Sequence, residues 1–227
     1  MSNSITIDGR DWYVPETNNV GQFYSSNIEI FNLRVYDYHF CPVNEDTVVL
    51  DVGANIGMFA VYCLSKGVKQ VVSIEPGQVF ESLVKNTEVY GDKSICLNVG
   101  AWAYNTKLEF VDIPVWSVQG CIKGQMKSHD SNYSVRSIDC NSIDHIVNKL
   151  NLNKIDFIKM DIEGSELEAL QGAKYVIKTF KPKMAICLYH NQKDWNILPK
   201  TIFDFVYSYK YTPISYKETG ADIGYFY

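Results

Sequence analysis

The chain has 227 residues, 46% of them hydrophobic and 21% charged, which is enough apolar material for one enzyme-sized core without an accessory domain. A net charge of −5 with no long cluster of Lys or Arg excludes a general attraction to nucleic acid, and no 18-residue apolar span argues for membrane insertion. Cys41, Cys63, Cys96, Cys121, Cys140 and Cys187 form no C-x-x-C pair and sit mostly in apolar runs, so core thiols, a reducing compartment and, with no secretory leader recognised, a cytoplasmic location are the expectation.

Residues 1–45 are rich in aromatics, with Trp12, Tyr13, Phe23, Tyr24, Tyr36 and Tyr38, and are expected to form a cap over a ligand mouth. Residues 46–227 read as one α/β domain. In it Val48-Val49-Leu50-Asp51-Val52 is a buried strand ending at a carboxylate, Gly53-Ala54-Asn55-Ile56-Gly57 is a glycine turn, and Ile56, Phe59, Ala60, Cys63 and Leu64 then recur at helical spacing on one face. Gly53 and Gly57 let the backbone approach a ligand closely. The dinucleotide pattern G-x-G-x-x-G fails, because Asn55 and Met58 occupy its second and third positions. An aspartate ahead of the turn repels phosphate and attracts an ammonium or sulfonium, which favours S-adenosylmethionine over NAD.

The next apolar run, Val71-Val72-Ser73-Ile74, ends in Glu75, about twenty residues beyond Gly53, where an acid at a strand tip accepts from the hydroxyls of an adenosine ribose. A helix with Phe80, Leu83, Val84 and Thr87 on one face leads to a strand over 94–99, closed by Gly100-Ala101-Trp102, and a strand over 108–111 follows. Residues 112–135 have weak periodicity and carry Trp116, Gly120, Gly124, His129, Asn132 and Tyr133; a lid or insertion is expected there. Asn141-Ser142 caps a helix with Ile143, Ile146, Val147 and Leu150 inward. Next come a strand over 157–161 and a helix opened by a capping box of Ser165 and Glu168, carrying Leu167, Leu170, Ala173 and Ile177 inward and stopped before Pro182. A strand over 184–189, a helix around 202–207 and two aromatic runs parted by Gly220 complete the chain, the last two as a terminal hairpin.

Alternating strands and helices build a parallel sheet covered on both faces, with ligands at the carboxyl ends of the strands. Those ends carry Asp51, Glu75, Gly100 to Trp102, Asp161 with Glu163, and His190.

The run Asp156-Phe157-Ile158-Lys159-Met160-Asp161-Ile162-Glu163-Gly164-Ser165-Glu166 resembles the signature of the FkbM-family methyltransferases. The glycine turn upstream, Asn98-Val99-Gly100-Ala101-Trp102, and Lys181-Pro182-Lys183-Met184-Ala185-Ile186-Cys187-Leu188-Tyr189-His190 stand in that family's order. The resemblance covers roughly residues 45–227, apart from 112–135. It implies a Rossmann-like class I methyltransferase fold with a mostly parallel sheet and a reversed terminal strand, S-adenosylmethionine as cofactor, and O-methyl transfer to a sugar hydroxyl, on a nucleotide sugar or surface glycan, or to a secondary metabolite such as a polyketide or peptide.

The cofactor-binding candidates are Asp51, Gly53, Ala54, Asn55, Gly57, Glu75, Gly100, Ala101, Trp102 and Asp161; the catalytic candidates are His190 as base, with Asp161 and Glu163 orienting it or the acceptor. Lys159 alternates onto the face of Asp161 and is read as an ion-pair partner or a catalytic group. Asp161, Glu163 and His190 alone do not complete an octahedral oxygen set, and His39, His129 and His145 are scattered, so metal-free base catalysis is expected. An NAD-dependent oxidoreductase and a catalytically silent scaffold are the competing readings. Homo-oligomerisation is left open.

Overall fold

The computed structural model describes residues 3–15, 20–39, 41–112, 120–125 and 133–227. The N-terminal segment opens with a hairpin, β1 (Asn3–Ile7) and β2 (Arg10–Val14), turned at Asp8-Gly9, where both residues take positive φ as a tight two-residue hairpin turn demands. Helix α1 (Gly21–Asn27) runs directly into a π-helical turn, Ile28–Asn32.

The domain proper alternates strand and helix. Its elements are β3 (Val48–Val52), α2 (Met58–Ser65), β4 (Gln70–Ile74), α3 (Phe80–Thr87) and β5 (Ser94–Leu97), then, after a four-strand excursion, α4 (Ile143–Lys149), β10 (Phe157–Met160), α5 (Glu166–Gln171), α6 (Lys174–Phe180), β11 (Lys183–Cys187), α7 (Asp194–Phe205), β12 (Tyr211–Tyr216) and β13 (Ala221–Phe226). Seven strands form one sheet in the order β12-β13-β11-β10-β3-β4-β5, and β13 alone runs against its neighbours. The order reverses between β3 and β10, which is where an open α/β sheet leaves a crevice at its carboxyl edge. The reversed terminal strand and the Rossmann-like class I architecture agree with the sequence.

Every residue of β3 is buried, as is fitting for a central strand covered on both faces. One face of the sheet packs on α4 to α7 through residues such as Leu50, Ile158, Leu170 and Ile186. The other packs on α2 and the N-terminal segment, with Trp12, Phe23, Tyr36, Phe59 and Phe157 in one continuous cluster. The expectation of a one-faced helix after the glycine turn therefore needs correction: Met58 to Leu64 are all buried, because the aromatics of residues 12–36 cover the face that would otherwise meet water.

Three other differences have local causes. The stretch after β5 leaves the main sheet: β6 (Gly100–Ala101), β7 (Thr106–Asp112), β8 (Gly120–Ile122) and β9 (Ser134–Asn141) make a second sheet in the order β6-β9-β7-β8. Ser165 precedes α5 but makes no capping bond, so the expected capping box is absent; Glu166 instead accepts the Ile162 N–H at 2.9 Å. The helix expected around 202–207 begins at Asp194 and accommodates Pro199. The Ser142 cap does form, its side chain accepting from the His145 N–H at 3.2 Å. No described helix is long and apolar enough to cross a membrane.

Candidate active site

A pocket of about 1040 Å³, including its open mouth, lies at the carboxyl ends of β3, β4 and β10. Its walls include Gly53, Ala54, Asn55, Glu75, Gly100 and Ala101 on one side, Asp161, Ile162 and Glu163 on another, and Phe23, Glu29, Tyr36, Phe59, Phe110 and Cys121 around the rest. Sequence-distant residues meet here because parallel strands present all their carboxyl ends at one edge.

Glu75 stands at the tip of β4, almost buried, and its two oxygens accept the backbone N–H groups of Asn55 at 2.9 Å and Gly77 at 2.6 Å. Burial pushes its carboxyl pKa up, and those two N–H groups pull against that. Asn55 sits at φ 53° and its own side chain accepts the Ile56 N–H at 2.6 Å, which fits a local turn of the kind Asn supports. Arg136 fastens the second sheet to this corner, pairing with Asp112 at 2.7 Å and donating to the Pro76 carbonyl.

Below the pocket floor, Asp51 of β3 and Lys159 of β10 are register partners on adjacent strands, with Nζ 3.1 Å from Oδ1. Nζ also donates to the Gly53 carbonyl at 2.5 Å. Burial raises the Asp51 carboxyl pKa against the pull of Lys159; for the Lys159 ammonium, burial is outweighed by Asp51 and Asp161, which leave it above its ordinary value. The alternation of Lys159 onto the Asp161 face thus resolves as an ion pair with a different acid. Gly53 is confined by packing: a Cβ there would lie 1.8 Å from the Asp161 carbonyl oxygen.

Asp161 receives two phenol hydroxyls, Tyr36 on Oδ2 at 3.0 Å and Tyr189 on Oδ1 at 3.1 Å. Burial acts to raise its pKa, but Lys159 and His190 overcome it and hold the group ionised. His190, nearly buried, has Nε2 3.5 Å from both Asp161 Oδ1 and Glu163 Oε2, and Nδ1 2.9 Å from Glu166 Oε1. Burial would lower the imidazole pKa, yet Glu166, Asp161 and Glu163 bring it to about 9. Glu163 occupies φ 56°, followed by Gly164 at φ 97°, a left-handed turn that carries its side chain to the pocket wall.

Seven sequence candidates thus line the pocket: Gly53, Ala54, Asn55, Glu75, Gly100, Ala101 and Asp161, with Glu163 as an eighth. Four others are placed differently. Asp51 lies wholly buried against Lys159, beneath the pocket and not in its lining. At Gly57 an added Cβ would meet Leu83 Cδ1 at 2.7 Å, so that glycine serves the packing of α2 on α3. Trp102 packs with Phe110, Ile138 and Cys140 of the second sheet, away from the lining. His190 sits behind Asp161 and Glu163, outside the lining, among three carboxylates that bring its pKa to about 9.

Tyr36, one of the aromatics expected over the ligand mouth, lines the pocket. Glu29 of the N-terminal segment lines it too and was not expected there; burial followed by the charge of Asp161 raises its carboxyl to about 7. The irregular π-turn that holds Glu29 is a type of element frequent at functional sites, but its sequence carries no periodic signal. Of the expected lid, β8 contributes Gly120, Cys121 and Ile122 to the wall, whereas 113–119 and 126–132 lie outside the described residues. Among the described residues Asp161, Glu166 and His190 also form a group able to hold a metal ion, a combination the sequence reading did not consider because Glu166 had been counted as helix.

The model of the methyltransferase FkbM domain matches residues 51–213. The chain belongs to the FkbM methyltransferase family. The family resemblance seen in the sequence is thereby confirmed, and the domain is of the S-adenosylmethionine-dependent kind; the NAD-dependent reading falls with it. Among curated relatives, hexuronic acid methyltransferase AglP of Haloferax volcanii is 31% identical over 129 residues, covering 56% of this chain and 50% of that protein. Methyltransferase 1 of Beauveria bassiana is 25% identical over 162 residues, covering 63% and 64%. This chain therefore spans about half to two thirds of the length of these curated relatives. A crystal structure of methyltransferase FkbM from Methylobacillus flagellatus superposes with a TM-score of 0.65 at 23% identity, over 94% of this chain and 48% of that one, and shares the fold.

Proposed function

We propose that the protein transfers the methyl group of S-adenosylmethionine to a sugar hydroxyl by in-line displacement. The observation that carries this reading is a single pocket in which the donor half, Gly53 to Asn55 with Glu75 and Gly100-Ala101, faces the carboxylates of Asp161 and Glu163. Glu75 takes the ribose hydroxyls on the oxygen lone pairs left by Asn55 and Gly77, and the Gly53 turn passes under the methionine part. The acidic lining, Glu29, Glu75, Asp161 and Glu163 against a Lys159 already engaged by Asp51, suits a cationic sulfonium donor.

Methyl transfer from a sulfonium leaves a neutral thioether, and the acceptor oxygen must lose its proton. Asp161, held ionised and oriented by Tyr36 and Tyr189, positions the hydroxyl; Glu163, on the wall with its side chain 36% exposed, receives the proton. His190 acts as a positioning residue that steadies both carboxylates. Alignment of donor and acceptor supplies roughly 7–11 kcal/mol of such a reaction and a base about 10²- to 10⁴-fold, so placement dominates.

The sugar assignment is supported by similarity to the hexuronic acid methyltransferase and by aromatic walls, Phe23, Tyr36, Phe59 and Phe110, on which the C–H face of a sugar ring stacks. It is tested by incubating the protein with isotopically methyl-labelled S-adenosylmethionine and a panel of nucleotide sugars and glycans, with mass spectrometry for the added methyl group. Transfer to polyketide or peptide acceptors alone would refute the sugar assignment; no heat of binding for S-adenosylhomocysteine at millimolar concentration would refute the donor.

A further inference from the structure

We propose that the acceptor side of the pocket selects its sugar by charge, with Glu29 as the specificity-determining residue: an ammonium group near the reacting hydroxyl is favoured, an uncharged sugar is accepted, and a sugar carboxylate is turned away. The inference rests on the methyl-transfer reading and names the chemical class of its acceptor. The first reason is the sign of the wall. Among its described residues Glu29, Glu75 and Asp161 supply carboxyl groups, Lys159 is the one cationic side chain, and no arginine or histidine takes part. Lys159 is already engaged: at 4% exposure, its Nζ lies 3.1 Å from Asp51 Oδ1 and also holds the Gly53 carbonyl. His190 stands behind the wall, with Glu166 Oε1 at 2.9 Å from its Nδ1. Glu163, which His190 faces at 3.5 Å, adds to the acidic sign but is not required for it.

The second reason is the setting of Glu29, which the methyl-transfer chemistry does not use. It sits on the π-helical turn Ile28–Asn32, and its carbonyl accepts the Val35 N–H at 3.0 Å, so the turn is fastened to the stretch that sends Tyr36 to Asp161 Oδ2. The carboxyl has the Thr219 side chain as hydrogen-bond partner, and the cation whose charge reaches it, Lys159, is the one paired with Asp51. A half-buried acid beside the like charge of Asp161 is stabilised in its ionised form when a cationic group enters, and destabilised further by an anion.

The third reason is a buried polar group that awaits a partner. Ser165 belongs to the wall at 2% exposure, makes no capping bond to α5, and its Oγ has no hydrogen-bond partner. Buried hydroxyls are normally satisfied, and a hydroxyl or ammonium of the acceptor supplies what is missing. The donor does not cancel the acid, because S-adenosylmethionine carries a single net positive charge and loses it with the methyl group. A carboxylate on the acceptor would meet carboxylates in a poorly solvated space, where like charges repel far more strongly than in water, and such repulsion of the wrong ligand is an ordinary source of specificity. The chain thus parts from the hexuronic acid methyltransferase it is similar to: a sugar acceptor is common to both, the acid is not.

The test measures methyl transfer from S-adenosylmethionine to matched methyl glycosides of the common hexoses, each as the neutral sugar, the amino sugar and the uronate, with S-adenosylhomocysteine titrated separately by calorimetry. The expected kcat/KM falls in the order amino sugar, neutral sugar, uronate, with about tenfold or more between the first and the last. Glu29→Gln, a change of charge without change of shape, is expected to lower that ratio at least about threefold, whereas Ser165→Ala, which removes no charge, preserves it. The order in the parent chain needs no variant to fold. Uronates methylated as readily as amino sugars, a ratio unaltered in Glu29→Gln, or a ratio lowered equally in Ser165→Ala would overturn the inference and leave methyl transfer standing. Binding of S-adenosylhomocysteine without methylation of any glycoside would overturn it as well and keep the donor; absence of both would remove the donor reading together with it.

Discussion

Asp51 and Lys159 face each other across the two central strands, 3.1 Å apart and sealed from solvent, and the same ammonium holds the Gly53 carbonyl at the turn above them. Removing one member leaves an uncompensated buried charge. Asp51→Asn or Lys159→Met is expected to cost about 3–5 kcal/mol of unfolding free energy, and the double replacement Asp51→Leu with Lys159→Met less than the sum. Urea unfolding measures this; single variants within 1 kcal/mol of the parent, roughly, would show that the pair does not hold the floor.

The two glycines of the turn answer to different neighbours. An alanine at Gly53 drives a methyl group into the Asp161 carbonyl oxygen, which is backbone, whereas one at Gly57 meets the mobile end of Leu83. Both also pay about 1–3 kcal/mol for positive φ. Gly53→Ala is expected to abolish the thermal shift given by S-adenosylhomocysteine, while Gly57→Ala lowers Tm and retains the shift. Equal loss in both variants would contradict this division.

Glu75→Gln keeps the shape of the side chain but removes the charge that makes it a strong acceptor. Affinity for S-adenosylhomocysteine is expected to fall about 10- to 150-fold, corresponding to the ~1.5–3 kcal/mol of a hydrogen bond to a charged group. Calorimetry at constant pH decides it, and parent-like affinity would detach Glu75 from the ribose.

The His190 imidazole has its pKa raised from 6.5 to about 9. A raised imidazole pKa stabilises the fold fully below 6.5 and loses that contribution as pH rises through 9. Stability should therefore decline between those values, and His190→Asn should flatten the decline. A parent curve flat from 6.5 to 9 would refute the protonated ring.

Glu29, with its carboxyl raised to about 7 by burial and then by Asp161, is partly protonated at neutral pH. A sulfonium donor entering the same pocket favours the ionised form, so binding of S-adenosylmethionine at pH 7 is expected to release a fraction of a proton. Titrations in buffers of different ionisation enthalpy would detect it, and Glu29→Gln should remove it. Buffer-independent heats in the parent chain would rule it out.

Much of the machinery was readable from local patterns. Apolar runs ending at Asp51, Glu75 and Asp161 located three strand tips, because a parallel sheet needs continuous apolar strands and releases its polar residues only where they end. The motif around Asp161 and the turn at Gly53 carry the family's pattern in the sequence alone. What the sequence does not show is burial, because it shows which residues are adjacent along the chain and burial depends on what arrives from elsewhere. Lys159 pairs with Asp51 from the neighbouring strand, and Glu166 stands on the far side of the His190 ring, and neither pairing is written in the local pattern.

By itself the sequence determined the class of fold, the alternation of strands and helices in the main sheet, the family, and the edge of the sheet where the pocket opens, since these follow from periodicity, glycine spacing and a contiguous motif. Tertiary structure alone decided which acid pairs with Lys159, that Tyr36 and Glu29 of the N-terminal segment complete the pocket, and that Asp161, Glu163 and Glu166 converge on one imidazole. The reason is physical: charge pairing and proton affinity are set by distances of a few ångströms and by exclusion of water, and both are created only when segments apart in the chain close against each other, as Tyr36 and Asp161 do.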